Sequence, residues 1–270
     1  MVVKTTMFDL TGKVALVTGG ASGLGKGIAA AMIAHGAKVL IGSRTQGKVD
    51  AAAKELDAIA DETGEDAVAA GVVLDVTSEA SVERAVRKAV DLFGGLHIVV
   101  NSAGYTVKKP TFELTPDEFN GLYDTHVTGS LRVAQAAGRV FREQHEGCII
   151  NLASLGSYVD LIEAAGYTSA KNAVLGLTRA FANEWAKYGI RTNAIAPGVI
   201  LTDLNRSFVE GTDRGRRILE HTPMARYGTA DEIAGAAVYL ASPAGSFVNG
   251  ETITVDGGFL ACGIGDSTAG

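Results

Sequence analysis

Tyr167 and Lys171, in the stretch Gly166-Tyr167-Thr168-Ser169-Ala170-Lys171, have the i, i+4 spacing that stacks two side chains on one helix face. A phenol beside a fixed ammonium makes an acid/base pair, because the cation stabilises phenolate and draws the tyrosine pKa down from about 10. Ser154 lies upstream, just after the apolar run Cys148-Ile149-Ile150-Asn151-Leu152-Ala153. That run reads as a strand and puts Ser154 at its carboxyl end, where open α/β sheets hold their ligands. One group able to hold a carbonyl oxygen and another able to protonate it imply carbonyl reduction. The Tyr-x-x-x-Lys spacing carries little weight alone, since any helix can present it. The hydride donor must be placed by the rest of the chain.

Val14-Ala15-Leu16-Val17-Thr18 is a short apolar run bounded by Gly12 and Gly19, and reads as a buried strand. Gly19-Gly20-Ala21-Ser22-Gly23-Leu24-Gly25 follows, then an alanine-rich helical stretch from Ile28 to His35, closed by Gly36. Strand, glycine turn and helix together suit an anion: glycines let backbone approach a pyrophosphate, and a helix start offers free N–H groups at its positive end. The same glycines would serve an ordinary tight turn, but the position at the first βα junction favours a dinucleotide. The spacing is Thr18-Gly19-x-x-x-Gly23-x-Gly25 rather than G-x-G-x-x-G. Lys38 to Gly42 is the second strand, followed by Ser43-Arg44. An acid at such a strand end selects NAD, whereas an arginine accommodates the 2′-phosphate of NADP. Neither residue is acidic, the next acid is Asp50, and the planar fork of Arg44 can pair with a phosphate, so NADP(H) is expected. The strand Ala67–Leu74 ends in Asp75-Val76, where an acceptor side chain can take the adenine amino group.

The positioning elements alternate. Helices are expected over Val49–Glu62, Ser81–Phe93, Pro116–Glu143 as one long segment, Gly166–Tyr188 and Asp231–Leu240. Further strands are expected over Leu96–Val100, Cys148–Ala153, Arg191–Ala196 and Thr252–Val255. With no run of hairpins, this implies an α/β fold with a mostly parallel, doubly wound sheet. The polar, arginine-rich excursion over residues 203–222 reads as a lid or substrate loop. At 270 residues one domain spanning 1–270 is favoured. The net charge of -6 argues against nucleic acid or an anionic membrane as partner. Cys148 and Cys262 are the only cysteines, residues 1–10 lack a secretory apolar stretch, and no run approaches the roughly 18 apolar residues of a membrane span, so a reducing, cytoplasmic setting is expected. His35, His97, His145 and His221 show no metal-ligand spacing, and no metal is expected.

Together these residues resemble the short-chain dehydrogenase/reductase family, single-domain type, from about residue 10 to 260. The marks are Thr18-Gly19-x-x-x-Gly23-x-Gly25, Asp75, Asn101-x-Ala103-Gly104, Ser154, Tyr167-x-x-x-Lys171, Pro197-Gly198-x-x-x-Thr202 and Val255-Asp256-Gly257-Gly258. The resemblance implies a seven-stranded Rossmann fold with Tyr167 as general acid/base and Ser154 bonded to the substrate oxygen. It also implies that Lys171 lowers the tyrosine pKa and holds ribose hydroxyls. Cofactor contacts would fall on Gly19, Ser22, Gly23, Leu24, Gly25, Arg44, Asp75, Val76, Asn101, Ala103, Gly104, Pro197, Ile200 and Thr202. Arg44 without a preceding acid looks like the NADP type. Oligomers, as homotetramer or homodimer, are the family's rule.

Two positions depart from the family pattern. Ser102 stands where a second asparagine is usual. His126, in His126-Val127-Thr128-Gly129, stands at the asparagine of an Asn-x-x-Gly pattern whose carbonyl serves a proton relay. Three readings stay open: the carbonyl still works, the imidazole itself transfers protons, or catalysis is impaired. The segments Thr222 to Gly228 and Val255 to Leu260 look like members acting on sugar acids and polyols, such as gluconate 5-dehydrogenase. Asp160, Glu163, Asn205 and the arginines of 203–222 are candidate substrate contacts. The alternatives are a 3-oxoacyl carrier-protein reductase, a steroid-type reductase and a low-activity NADP(H)-binding protein.

Overall fold

Seven strands form one parallel sheet in the computed structural model, whose described residues are 6–63, 68–202 and 206–263. They are β1 (Val14–Thr18), β2 (Lys38–Ser43), β3 (Ala69–Val73), β4 (Ile98–Asn101), β5 (Gly147–Leu152), β6 (Ile190–Pro197) and β7 (Thr252–Val255). Their order is β3-β2-β1-β4-β5-β6-β7. The order reverses between β1 and β4, which opens a crevice at their carboxyl ends. Each strand's alternate residues serve opposite faces. Val17, Ile41, Val100 and Ile150 pack under α1 (Gly23–Ala34), α2 (Gln46–Thr63) and α9 (Ala230–Ala241). Leu16, Leu40, Val99 and Ile149 pack under α3 (Glu79–Phe93), α5 (Gly129–Gln144) and α6 (Ala165–Trp185). This is the expected doubly wound Rossmann sheet with helices on both sides.

The differences from the sequence reading are local. α1 starts at Gly23 rather than Ile28, because the first turn of a helix needs no side chain to hold it. The expected continuous helix from Pro116 to Glu143 is broken: α4 (Pro116–Tyr123) and α5 are joined by a single π turn over Asp124–Thr128. α4 opens on a capping box, Thr115 with Glu118, and has Pro116 in its first turn. At the π turn the N–H of Gly129 bonds Asp124 O, one residue further back than in an α-helix. A Cβ at Gly129 would lie 2.9 Å from Val76 Cγ2, so only glycine lets the bulged helix pass so close to the end of the third strand. The 203–222 excursion carries two short helices, α7 (Arg206–Val209) and α8 (Asp213–His221). Asp203 and Asn205 lie outside the described residues. Among the described residues no helix is long and apolar enough to cross a membrane.

Candidate active site

Ser154 follows β5 after one intervening residue, in extended backbone, and its Oγ accepts the Gly156 N–H at 3.1 Å to start a tight turn over Leu155–Ser157. Two bonds tie that turn to α6: Ser157 Oγ donates to Lys171 O at 2.8 Å, and Asn172 Nδ2 to Ser157 O at 2.9 Å. The strand end and the helix are thereby fixed to one another, and the Ser154 hydroxyl meets that of Tyr167. Part of the Tyr167 ring reaches solvent, while its hydroxyl lies deep in the cleft. Lys171 is buried one turn on, its Nζ donating to Leu152 O at 2.5 Å and standing 5.7 Å from the Tyr167 ring centroid. Burial pushes the Tyr167 hydroxyl up from its ordinary pKa, against the Ser154 hydrogen bond that lowers it. The net direction is therefore opposite to the one expected from the Lys171 charge, because burial outweighs it. The ammonium is turned to a carbonyl, and desolvation wins. Burial also pulls Lys171 down to about 8.

Beneath these groups runs a polar ladder that the sequence reading missed. Asn101 Nδ2 donates to Asn151 Oδ1 at 2.9 Å, and Asn151 Nδ2 to Thr178 Oγ1 at 2.9 Å. The two asparagines are register partners on β4 and β5. Buried amides this well paired stiffen the sheet end that carries Ser154. The available signal was Asn151 itself, a polar residue inside an apolar strand run. Asn101 thus spends side-chain capacity inside the fold.

The crevice between β1 and β4 gathers the other candidates. Thr18 Oγ1 accepts from both Ser102 N and Ala103 N at 3.0 Å, joining the glycine turn to the loop after β4. A Cβ at Gly19 would stand 2.9 Å from Ala103 Cα, and one at Gly25 would stand 2.5 Å from Gly19 O. Gly23 has φ +52, and the Thr202 methyl lies 3.7 Å from where its Cβ would be, so the segment after β6 reaches over the turn. Ser22 is the N-cap of α1 but makes no side-chain cap bond, which presents the N–H groups of Gly23, Leu24 and Gly25 uncapped. That donor set and those close approaches fit a pyrophosphate. Arg44 is exposed at the end of β2 and near enough to Asp75 to act on its charge. The Asp75 carboxyl is held below its usual range first by the Thr77 N–H and hydroxyl, at 3.0 and 2.7 Å, and then by Arg44 and Arg132. Val76 packs inward on Gly129. Pro197 ends β6, and Ile200 is buried, bridging Gly228.

The candidate substrate contacts are only partly brought in. Glu163, at φ 65, pairs with Lys108 at 3.4 Å and its carbonyl accepts from Lys109 N, linking the loops after β4 and β5. Asp160 is exposed. Arg206 pairs with Glu210 just past its helix, and Arg216 with Glu220 on its own.

His126 sits on the π turn and is 3% exposed. Its Nε2 lies 2.7 Å from Tyr105 O and 3.3 Å from Tyr105 N; the shorter contact requires Nε2–H, which leaves Nδ1 as a buried acceptor without a partner among the described residues. The ring meets that of Tyr167 edge-on at 5.4 Å. Burial, aided by the Lys171 charge, pulls the imidazole down to about 3, which counts against the open reading in which the ring itself transfers protons near neutrality. The His126 carbonyl accepts from Ser130 Oγ at 2.7 Å. A consequence is measurable. With a folded pKa near 3 and an unfolded one near 6.5, only the unfolded chain takes a proton as pH falls below 6.5. Between pH 7 and 4.5 the protein should lose on the order of 3 kcal/mol of stability through this group, and His126→Asn should remove that share. Urea denaturation at the two pH values reads it. Parallel losses in both proteins would mean the native imidazole titrates normally.

The sequence matches the family model described as "Enoyl-(Acyl carrier protein) reductase" over residues 19–260. It is 36% identical to 2-dehydro-3-deoxy-D-gluconate 5-dehydrogenase of Dickeya dadantii, over 94% of this chain and 98% of that protein. It is 37% identical to D-threitol dehydrogenase of Mycolicibacterium smegmatis, over 93% and 94% of the two chains. A crystal structure of a gluconate 5-dehydrogenase from Burkholderia cenocepacia, in complex with NADP and tartrate, superposes with a TM-score of 0.88 at 35% identity, covering 95% of this chain and 98% of that one.

Proposed function

This chain belongs to the short-chain dehydrogenase/reductase family and is an oxidoreductase of CH–OH groups, and we propose that it interconverts a ketone and a secondary alcohol with NADP(H) on a small hydroxylated substrate, a sugar acid or polyol. The observation that carries the chemistry is the Ser154–Tyr167–Lys171 group, locked to the carboxyl end of β5. Gly19, Ser22, Gly23, Leu24 and Gly25 would hold the pyrophosphate, and the 197–202 segment would close over it. A bound nicotinamide dinucleotide supplies the hydride chemistry. Ser154 holds the substrate oxygen. Tyr167 gives that oxygen its proton in reduction and takes it back in oxidation. A phenol pushed up by burial stays protonated at neutral pH, which suits reduction, and the buried Lys171 ammonium, 5.7 Å from the ring, would steady the phenolate left behind. Oxidation should accordingly quicken as pH rises.

The substrate class rests on the relatives that act on a deoxygluconate and a tetritol, and on the charged Lys108–Glu163 pair joining the loops after β4 and β5. In this reading residues 203–222 form the substrate loop of a single domain, which assembles as a homotetramer or homodimer. The test is loss of reduced nicotinamide across keto sugar acids, ketoses, β-ketoesters and steroid ketones, with NADPH and NADH in parallel. A response confined to β-ketoesters or steroids would overturn the substrate class.

Arg44 supports the choice of cofactor. Ser43→Asp with Arg44→Ile removes a charge-assisted bond to the 2′-phosphate and sets a carboxylate in its place. The preference for NADPH over NADH in kcat/KM should fall by about 10²-fold. Unchanged selectivity would assign the 2′-phosphate to another group.

A further inference from the structure

We propose that His126 is a positioning residue of the cofactor cleft: a neutral strut that sets Gly104 and Tyr105 relative to the Tyr167 ring, and that fills the space a side chain at position 104 would need. That there is a cofactor cleft to position rests on the function proposed above.

The backbone does not explain Gly104. Its φ is not among the positive values, so an L side chain would meet no conformational strain there. The obstacle is His126. A Cβ built on Gly104 would lie 2.2 Å from His126 Cε1, 2.8 Å from Nδ1 and 3.2 Å from Nε2, and these are the three nearest atoms. The imidazole fills the space a side chain would take. The π turn carries the ring into this space, and Gly129 permits the bulge. The ring is then fixed on two sides, by Nε2–H to Tyr105 O at 2.7 Å and by the edge contact with Tyr167 at 5.4 Å.

Gly104 is one residue from Ala103, whose N–H bonds Thr18 Oγ1 and whose Cα closes on Gly19. A displacement at Gly104 therefore reaches the glycine turn of the dinucleotide site in one step, and reaches Tyr167 through the ring itself. The surroundings also forbid a charged strut. The titratable groups that face the ring are Tyr105, stacked on it at 6.1 Å from the loop after β4, and Tyr167 and Lys171 from α6; Arg132 of α5 and Glu118 of α4 lie on the other elements packed against the turn. Asp124, on the π turn itself, pairs with Arg132 at 2.8 Å, and Glu118 pairs with Lys109 at 2.7 Å. The interactions that act on the ring are the Lys171 charge and the Tyr105 carbonyl, and among the described residues no carboxylate acts on it to hold an imidazolium.

The test is a double-mutant cycle of Gly104→Ala and His126→Ala, read by NADPH fluorescence titration and by thermal midpoint. In the parent, Gly104→Ala should weaken NADPH binding at least tenfold and lower the midpoint. In the His126→Ala background the same change should weaken binding less than threefold and leave the midpoint nearly unmoved. Equal losses in both backgrounds would overturn the proposal. If Gly104→Ala alone does not fold, the double variant should, and its failure to fold would overturn the proposal equally. Imidazole ¹⁵N spectra of the parent should show the Nε2–H tautomer unchanged from pH 5.5 to 8.5; a titration in that range sinks the neutral strut. His126→Asn should reduce kcat more than it raises KM, with the apparent pKa values of the rate profile unmoved. A protein that fails to bind NADPH would count against the proposed function, while the midpoint cycle and the spectra still decide this one.

Discussion

Tyr167→Phe is expected to lower kcat by about 10³-fold while NADPH affinity stays within a few-fold. The phenyl ring keeps the edge contact with His126 at 5.4 Å and the position beside Lys171, so the cleft is not reshaped. Only the hydroxyl goes, and with it the proton donor and the bond to Ser154. Single-turnover kinetics with a substrate of the proposed class, set beside fluorescence titration of NADPH, separate the two effects. A rate within tenfold of the parent would remove Tyr167 from the proton transfer. Ser154, whose Oγ is otherwise committed to Gly156 N–H, would then be the next donor to test.

The alternation of strands and helices was legible because a buried parallel strand writes itself as an apolar run, as in Val14–Thr18, and an amphipathic helix as a stripe, as in Glu79–Phe93. The candidate site was legible as far as its groups lie close in sequence. Tyr167 and Lys171 share a helix face, and Ser154 precedes their helix by one turn and a loop. The π turn was not legible. One inserted residue leaves the apolar pattern on either side intact and only rotates one half against the other, so a window of sequence reads one helix. The Asn101–Asn151–Thr178 ladder joins three separate elements and has no local signature beyond a polar residue in a strand. The direction of the Tyr167 shift was missed for a related reason. Spacing predicts that a cation is near, but only packing decides where its N–H bonds point and how much water the phenol loses.

Lys171→Met tests the cation separately from the acid. The methionine fills a similar volume and leaves Leu152 O without its 2.5 Å donor, a loss of about 1–3 kcal/mol. Against this, a buried lysine pulled down to about 8 carries a desolvation cost whenever it is charged, and that cost disappears. The folded pKa lies below the unfolded one, so the cost is full below pH 8 and fades as pH rises toward 10.5. Stability at pH 7 should therefore change little, within about 2 kcal/mol, by urea denaturation. Activity should not be spared. When Tyr167 gives up its proton, the phenolate stands in a dry cleft with the Ser154 hydrogen bond and no cation, and kcat for ketone reduction should fall by about 10²–10³-fold. The parent should also lose reduction rate as pH passes 8, where Lys171 discharges, and the methionine variant should lack that limb. Lys171→Arg should not restore the rate, because a planar guanidinium cannot occupy the space of a compact ammonium aimed at one carbonyl. A methionine variant within threefold of the parent, or one that keeps the limb near pH 8, would show that the phenolate is steadied by something other than Lys171.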